Sequence, residues 1–354
     1  MKATLRKAAP PRRWTAPRGN ERRLVTEHPR RRILSLAAGA AALPAVSRIA
    51  WAQSYPTRPI TIIVPAAPGG STDVIARNVA ERIRASLGQP VIIENLGAAG
   101  GTIGVGRVAR AAPDGYTLSI GNNSSHVVNG ATYTLQYDLL NDFRPVALLS
   151  AAPFLLLARK AMPADDLKGL IAWLKANPGK ATQGSAGVGS IAHVVGLRLQ
   201  KETGTRFQLV PYRGGSPALQ DLVAGQIDLG ILDPTTSLAQ VRGGRVKAYA
   251  VTAAIRSSSA PDIPTVDEAG LPGFYAALWQ GLWAPKDTPK NIIARLNAAV
   301  VEALAHPDVR SRLRDLGQEI FPREQQTPEA LAAFHQAEIK KWWPIIKEAG
   351  IRAE

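Results

Sequence analysis

With 354 residues, 45% of them hydrophobic, the chain is long enough for two globular domains of ordinary size. It contains no cysteine, which excludes disulfides, thiolate metal ligands and cysteine nucleophiles. The net charge of +16 would suit a nucleic-acid-binding protein, but residues 1–52 carry +10 of it. The remaining +6 is modest and mildly favours small anions, so we expect no nucleic-acid partner.

The N-terminal segment has the pattern of an export signal. Arg30–Arg32 form a basic region, residues 33–46 are apolar, and Ala50–Ala52 fits the small-residue rule for signal cleavage. We therefore predict that residues 1–52 are a cleaved leader and that the protein is periplasmic, exported by either the Sec or the Tat route. The residues upstream of the arginines either extend this leader or lie before a true start at Val25.

Strand and helix patterns alternate along the rest of the chain. The predicted strands are 60–64, 91–94, 116–120, 146–149, 154–158, 181–184, 207–210, 227–232, 246–251 and 278–284. The predicted helices are 71–87, a short one around Val108, 167–175, 190–204, 216–225 and two that open at Thr288 and Thr327. The first three strands and their helices form a βαβαβ pattern, which predicts an α/β fold with a parallel sheet and helices on both of its faces. A second series follows, so we predict two α/β lobes. We place lobe I at 54–155 plus 277–354 and lobe II at 156–276, with the C-terminal helices on lobe I.

The turn between the first strand and the first helix has the features of an anion site. Gly69-Gly70 allows a tight turn and a close approach to a ligand, and Ser71-Thr72-Asp73 are helix N-cap types. Free N–H groups and the positive end of the helix dipole meet there. No Lys-Ser/Thr pair follows the glycines, so the turn is not a P-loop and the expected anion is a carboxylate. The alternative is an ordinary strand–helix turn with a good cap.

A second strand–glycine–helix unit occurs at residues 184–193, with Ser190 as the expected N-cap. Two such units, one in each lobe, would hold a molecule with carboxylates at both ends. His193 is expected in the polar wall of the cleft, or else on the surface. Ser190 and His193 lie on adjacent turns of one helix without an orienting acid, so we do not expect a hydrolase or any other enzyme.

Polar residues also follow other predicted strands, at the edge where open α/β sheets bind ligands. Asn122 and Ser124 follow the third strand, Tyr212 and Gly214 follow the strand ending at 210, and Asp233 follows the strand 227–232. Each could equally belong to a solvated loop, and Asp233 could be a hinge residue.

Three other features are interpreted structurally. The glycine-rich residues 97–106 are expected to form a turn with close helix packing rather than a dinucleotide fingerprint. Trp279 and Trp283, at strand spacing, are expected in the core. The histidines are scattered and no acidic ligand cluster accompanies them, so we predict neither a metal nor another cofactor.

Motifs from residue 55 to residue 285 together resemble one family. They are Tyr55–Pro65, Pro68–Asp73, Pro113–Tyr116, Tyr137–Asp138 with Asp142–Val146, the 184–193 loop, Pro211–Leu222, Gly225–Asp228, Pro264–Gly273 and Gly281–Pro285. In this order they resemble the Bug, or tripartite tricarboxylate transporter substrate-binding, family over essentially the whole mature chain. One departure is Ile231-Leu232, where many members have Met-Phe before the acid that matches Asp233.

The resemblance implies a two-lobed periplasmic binding protein of type II that closes on a small carboxylic acid. It implies that the loops 68–73 and 184–193 hold the carboxylates, and that the protein is a monomer that delivers its ligand to membrane permease subunits. The alternative role is a periplasmic sensor that presents the ligand to a membrane signalling receptor. The predicted ligand-binding residues are Pro68, Gly69, Gly70, Ser71, Thr72, Asp73, Asn122, Ser124, Ser185, Gly189, Ser190, His193, Tyr212, Gly214 and Asp233.

Overall fold

The computed structural model describes residues 55–353, so the predicted leader and its cleavage site lie outside the described residues. In chain order the strands are β1 (Ile60–Val64), β2 (Val91–Asn95), β3 (Thr117–Asn122), β4 (Phe143–Pro153), β5 (Leu155–Arg159), β6 (Thr182–Ser185), β7 (Gln208–Pro211), β8 (Leu229–Leu232), β9 (Val246–Val251), β10 (Ala277–Pro285) and β11 (Glu319–Ile320). The α-helices are α1 (Ser71–Leu87), α2 (Thr102–Ala109), α3 (Asn129–Thr132), α4 (Leu167–Ala176), α5 (Ile191–Thr203), α6 (Gly215–Ala224), α7 (Pro234–Arg242), α8 (Lys290–Ala305), α9 (Pro307–Asp315) and α10 (Pro328–Glu348). None of the helices in this part of the chain is long and apolar enough to cross a membrane.

The strands form two sheets. The first has the order β11-β4-β10-β3-β1-β2, and the second has the order β7-β6-β8-β5-β9. Within the first sheet β1 pairs in parallel with β2 and β3, and within the second β6 pairs in parallel with β7 and β8. These parallel units come from the alternating strand–helix pattern seen in the sequence.

The parallel sheet predicted from the first three strands is observed for β1, β2 and β3, but both complete sheets are mixed. β10 is antiparallel to both β3 and β4, and β5 is antiparallel to both β8 and β9. The physical reason is the connectivity, because the chain passes directly from one sheet to the other without a crossover helix. A crossover helix is what parallel neighbours require.

The chain passes between the sheets at two places, at Phe154 between β4 and β5 and through residues 252–276 between β9 and β10. Thr252 joins these passages. Its Oγ1 accepts a hydrogen bond from the Phe154 N–H at 2.9 Å and donates to the Ala276 carbonyl at 2.6 Å. The Thr252 N–H donates to the Phe154 carbonyl at 2.8 Å. One buried threonine therefore ties together both connections between the sheets.

Apolar faces of helices cover the first sheet. Ile75, Val79 and Ile83 of α1 pack with Leu296 and Val300 of α8 in one buried cluster, which explains the helical spacing of these residues in the sequence. α10 packs against β4 on the sheet.

The tryptophans of β10 belong to the core, as predicted. Trp279 and Trp283 are almost fully buried, and Trp283 stacks on His126 with 3.9 Å between ring centroids. The Trp279 indole N–H donates to the Glu338 carboxylate of α10 at 2.8 Å. β10 is thereby fixed at the centre of the first sheet, where its first residues reach the space between the sheets.

We expect Thr252→Val to lower the free energy of unfolding by about 1–3 kcal/mol, because it removes two hydrogen bonds between its side chain and buried main-chain groups. Chemical denaturation measures this loss. Thr117→Val is the matched control, since Thr117 is a half-buried strand threonine whose side chain makes no hydrogen bond among the described residues. Equal stability of the two variants would contradict the role of Thr252.

Candidate ligand-binding cleft

A cavity of about 680 Å³ lies between the two sheets. On the side of the first sheet its wall comes from the loop before α1, the turn before α2, the polar segment after β3 and the start of β10. On the side of the second sheet its wall comes from the loops after β6 and β7 and from the end of β8. Most of these segments follow the carboxyl ends of strands, where open α/β sheets place ligand crevices.

Four helices begin at the wall of this cavity. The lining residues at their starts are Gly70–Thr72 for α1, Ser190–Ala192 for α5, Gly214–Ser216 for α6 and Asp233 with Thr236 for α7. The first N–H groups of a helix have no acceptor within the helix and carry the positive end of its dipole. The cavity therefore collects main-chain donors from both sheets, an arrangement suited to anions.

The carboxylate of Asp73 holds the loop before α1. It accepts hydrogen bonds from the Gly69 N–H at 2.8 Å and from Asn95 Nδ2 at 3.0 Å, and it pairs with Arg77 at 3.0 Å. Burial raises the pKa of Asp73, but the hydrogen bonds and the charge of Arg77 outweigh burial and hold the pKa below its usual value. Asp73 therefore stays ionised and fixes the glycine turn from behind.

The start of α5 is capped from both sheets. Ser190 Oγ accepts from the His193 N–H at 3.2 Å, and Ser124 Oγ, which belongs to the opposite wall, accepts from the Ile191 N–H at 3.0 Å. Between them, the Ala192 N–H has no acceptor among the described residues. One donor of this helix is thus free for a ligand, and another joins the two walls of the cleft.

Asn122 links the other two polar segments of the first wall. Its Nδ2 donates to Thr72 Oγ1 at 2.8 Å, and its Oδ1 accepts from the Ser124 N–H at 2.9 Å. The side chains that face the cavity from α1 and from the segment after β3 therefore hold each other in place.

The second wall contains one acidic and one basic side chain. Asp233 caps α7 and accepts from Thr236 Oγ1 at 2.9 Å, and burial raises its pKa against the opposing effect of its hydrogen bonds. Arg213 is exposed and makes no ion pair among the described residues. Burial and the Asp221 carboxylate raise the pKa of Tyr212 to about 12, so its hydroxyl stays protonated and donates to Asp221 at 2.6 Å.

Eleven of the predicted ligand-binding residues line the cavity, and their binding of a ligand stays a prediction. They are Pro68, Gly70, Ser71, Thr72, Asn122, Ser124, Gly189, Ser190, Tyr212, Gly214 and Asp233.

The structure does not place Gly69, Asp73, Ser185 or His193 in the cavity wall. Asp73 turns its carboxylate toward the Gly69 N–H, so that both are used in bracing the loop. Ser185 is fully buried on β6 behind the lining loop, with Oγ 3.4 Å from the Gly187 carbonyl. His193 follows the last lining residue of α5, and its half-buried ring has a pKa lowered by burial.

Sequence reasoning missed one whole segment of the wall. Residues 97–100 line the cavity, and Asn129 Nδ2 holds the turn by donating to the Gly100 carbonyl at 2.9 Å. Close packing is also present, since a Cβ on Gly101 would lie 2.4 Å from the Pro65 carbonyl oxygen. The glycine-rich pattern after a strand was the signal that could have identified this segment as part of the wall. The segment both lines the cavity and allows close packing.

Apolar residues near the passages between the sheets complete the wall. They are Phe154, Ile231, Leu232 and Leu278, and nothing in their sequence pattern distinguishes them from ordinary core residues. Within residues 55–353 no cluster of histidine, aspartate and glutamate side chains could hold a metal ion.

Comparison with known sequences gives a consistent result. The model of the family described as "Tripartite tricarboxylate transporter family receptor" matches residues 75–351. A protein of Agrobacterium vitis, encoded in the TAR-I ttuE-ttuC' intergenic region, is 41% identical over 303 residues, which cover 85% of this chain and 88% of that protein. BugT of Bordetella pertussis is 36% identical over 303 residues, covering 85% of this chain and 92% of BugT.

Solved structures share the fold. The periplasmic binding protein BugD is 38% identical, with a TM-score of 0.80. The match covers 85% of this chain and 100% of BugD. MatC from Rhodopseudomonas palustris, solved with bound malate, is 42% identical with a TM-score of 0.78 over 82% of this chain and 100% of MatC. A further R. palustris protein, solved with adipate, is 34% identical with a TM-score of 0.80 over 84% of this chain and 99% of that protein. The predicted two-lobed α/β fold of a periplasmic binding protein is confirmed.

We expect Asp73→Asn to lower the free energy of unfolding by about 1.5–3 kcal/mol near neutral pH, because one acceptor oxygen and the charge that strengthens these hydrogen bonds are lost. The folded-state pKa of Asp73 is depressed, so its contribution is present above the unfolded value, near 3.8, and is lost as the pH falls through the folded value. The difference between wild type and variant should therefore shrink below about pH 4.

Urea denaturation at a series of pH values measures this difference. Asp262→Asn is the control, because Asp262 is exposed and makes no hydrogen bond or ion pair among the described residues. A difference in the free energy of unfolding between wild type and Asp73→Asn that does not depend on pH would refute the role of an ionised Asp73 in holding the loop.

Proposed function

Because the chain belongs to the tripartite tricarboxylate transporter receptor family, we propose that it is a periplasmic binding protein that captures a small organic acid and delivers it to a membrane permease. The acid would carry two or more carboxylates, one for each wall of the cleft. The observation that carries this proposal is the convergence of four helix starts on one cavity.

The electrostatics of the cavity favour binding through main-chain donors. Among the lining residues Arg213 is the one basic and Asp233 the one acidic side chain, so their formal charges cancel. Helix starts nevertheless present partial positive charge from both sides, and an enclosed cleft strengthens such interactions by excluding water. The malate in MatC and the adipate in the R. palustris protein are dicarboxylates, which supports the same ligand class here.

The side-chain geometry does not support hydrolysis. The Ser190 hydroxyl donates to the Gly187 carbonyl at 2.8 Å and accepts from the main-chain N–H of His193, not from its ring. A serine nucleophile needs a base within hydrogen-bond reach and a group that orients the base. The chain is a binding protein, as its family is, and Ser190 serves as a helix cap.

The remaining parts of the proposal rest on the sequence. Residues 1–52 would be the leader that is removed on export, and the mature protein would act as a monomer. Lobe I would comprise 54–155 and 277–354 and lobe II 156–276, so that Phe154 and residues 252–276 would lie where the lobes meet. Closure of the lobes would enclose the acid.

A panel of acids tests the proposed function by differential scanning fluorimetry and calorimetry. We expect L-malate, adipate or citrate to raise the melting temperature by several degrees, since a hundredfold excess over Kd stabilises by about 2.7 kcal/mol. The diamide adipamide is the matched uncharged control and should have no effect. Binding of the amide as tightly as the acid, or no effect of any acid, would contradict the proposal.

Gly189→Ala should weaken binding of the acid found in this panel about tenfold or more. Gly189 has φ +72°, and an added Cβ would lie 2.9 Å from Thr132 Oγ1 of α3, so the loop must shift relative to α3. Gly204→Ala is the matched control, because Gly204 has φ +66° at the other end of α5 and nothing within 4 Å. Both variants carry similar backbone strain, and calorimetry should find weaker binding only for Gly189→Ala. Equal affinities would show that the position of the loop does not matter.

A further inference from the structure

A buried glutamine lies behind the cavity and connects the two sides of the cleft. Gln318, in the link between α9 and β11, is 3% exposed and is not among the lining residues. Its Nε2 donates to Thr235 Oγ1 of α7 at 2.8 Å and lies 3.4 Å from Ser71 Oγ of α1. Its Oε1 accepts from Ser150 Oγ of β4 at 2.9 Å. All the hydrogen-bonding groups of this side chain are therefore in use.

The main chain next to Gln318 also contacts the start of α7. The Thr235 hydroxyl donates to the Leu316 carbonyl at 3.0 Å. Gly317 has φ +74°, and a Cβ added there would lie 2.4 Å from the Pro234 ring. Only a glycine allows the chain to pass this close to the first residue of α7. The contact is thus built by main chain and side chain together.

Both helices that Gln318 touches present their starts to the ligand cavity. Ser71 is the first residue of α1 and lines the cavity. Asp233 is the N-cap of α7, two residues before Thr235, and it also lines the cavity. The Ser71 hydroxyl lies close enough to the Asp233 carboxylate to oppose the rise of its pKa by burial. Gln318 therefore holds the start of α1, on the side of the first sheet, and the start of α7, on the side of the second sheet. It does so from the side that faces away from the ligand.

We propose that Gln318 is a positioning residue that sets ligand affinity by fixing the starts of α1 and α7 relative to each other, without touching the ligand. The inference rests on the proposed function, because it concerns the same cleft. Donors bind a small anion tightly only when they are held in place before the ligand arrives. Without Gln318, the Ser71, Thr235 and Ser150 hydroxyls each lose one hydrogen-bond partner, and the two helix starts can shift.

Gln318→Met removes the hydrogen bonds while keeping a side chain of similar length. The matched control is Gln326→Met, since Gln326 is 5% exposed, donates through Nε2 to the Phe321 carbonyl at 2.7 Å and does not line the cavity. Thr235→Val is a second variant that removes the same link from the side of α7, in case Gln318→Met does not fold. The double variant tests whether the two residues act through one contact.

Calorimetry with L-malate and adipate gives Kd, and thermal denaturation gives the stability of each variant. We expect Gln318→Met and Thr235→Val each to weaken binding at least tenfold, the double variant to be no weaker than the worse single variant, and Gln326→Met to stay within twofold of wild type. Hydrogen exchange of the ligand-free protein should be faster at the starts of α1 and α7 in Gln318→Met and unchanged there in Gln326→Met.

Two results would overturn the role of Gln318. One is wild-type affinity in both Gln318→Met and Thr235→Val. The other is an equal loss of affinity in Gln318→Met and Gln326→Met, which would assign the effect to general destabilisation. Failure of the wild type itself to bind any acid would instead refute the proposed function, and the hydrogen-exchange comparison would still decide whether Gln318 holds the two helix starts.

Discussion

Main-chain N–H groups at the start of a helix need acceptors, and this need governs the cleft of the protein. The two sheets bring four helix starts to one cavity, where several of these groups face no partner within their own helix. Some of these N–H groups already have an acceptor within the protein, because the Ser190 side chain caps α5 and the Asp233 side chain caps α7. The others remain for a ligand. A cavity with so few formal charges can attract an anion because its donors belong to the backbone.

Backbone donors place a particular demand on the rest of the structure. A flexible lysine side chain can adjust to the position of a ligand, whereas the position of a main-chain N–H group is fixed by the conformation of the chain. This explains why so many polar side chains near the cavity bind protein rather than solvent. Asp73 holds the first glycine turn, Asn122 joins Thr72 to the segment after β3, and Ser124 reaches across to α5. The role proposed for Gln318 extends this supporting layer to the far side of the cleft.

The two strand–glycine–helix turns of the cleft could be predicted from the sequence because each is local. A strand, two or three glycines and a helix N-cap follow one another within about ten residues at Gly69-Gly70 and again before Ser190, so no knowledge of the tertiary structure is needed. The α1 helix from Ser71 to Leu87 was predicted correctly for the same reason. The two series of strands and helices predicted two lobes, and the resemblance of ordered motifs to one family added the type of binding protein.

The rest depended on contacts between distant residues. The direction of the Asp73 side chain is decided by Asn95 and Arg77, and a sequence pattern cannot show that its carboxylate turns back toward the loop. Leu278 and Phe154 look like core residues, and only the meeting of the two sheets makes them part of a ligand cavity. Alternation correctly predicted the parallel arrangement of β1, β2 and β3. It could not show that β10 and β5 are antiparallel to their neighbours, which follows from the direct passages at Phe154 and residues 252–276.

The proposed function requires helix starts on both walls to bind the carboxylates of one small acid. A crystal structure of the protein with its tightest-binding acid would show whether they do. We expect carboxylate oxygens within about 3 Å of main-chain N–H groups at the starts of α1 and α5. An acid held mainly by Arg213, or bound outside the cavity, with these N–H groups turned toward water, would refute the proposed mode of binding.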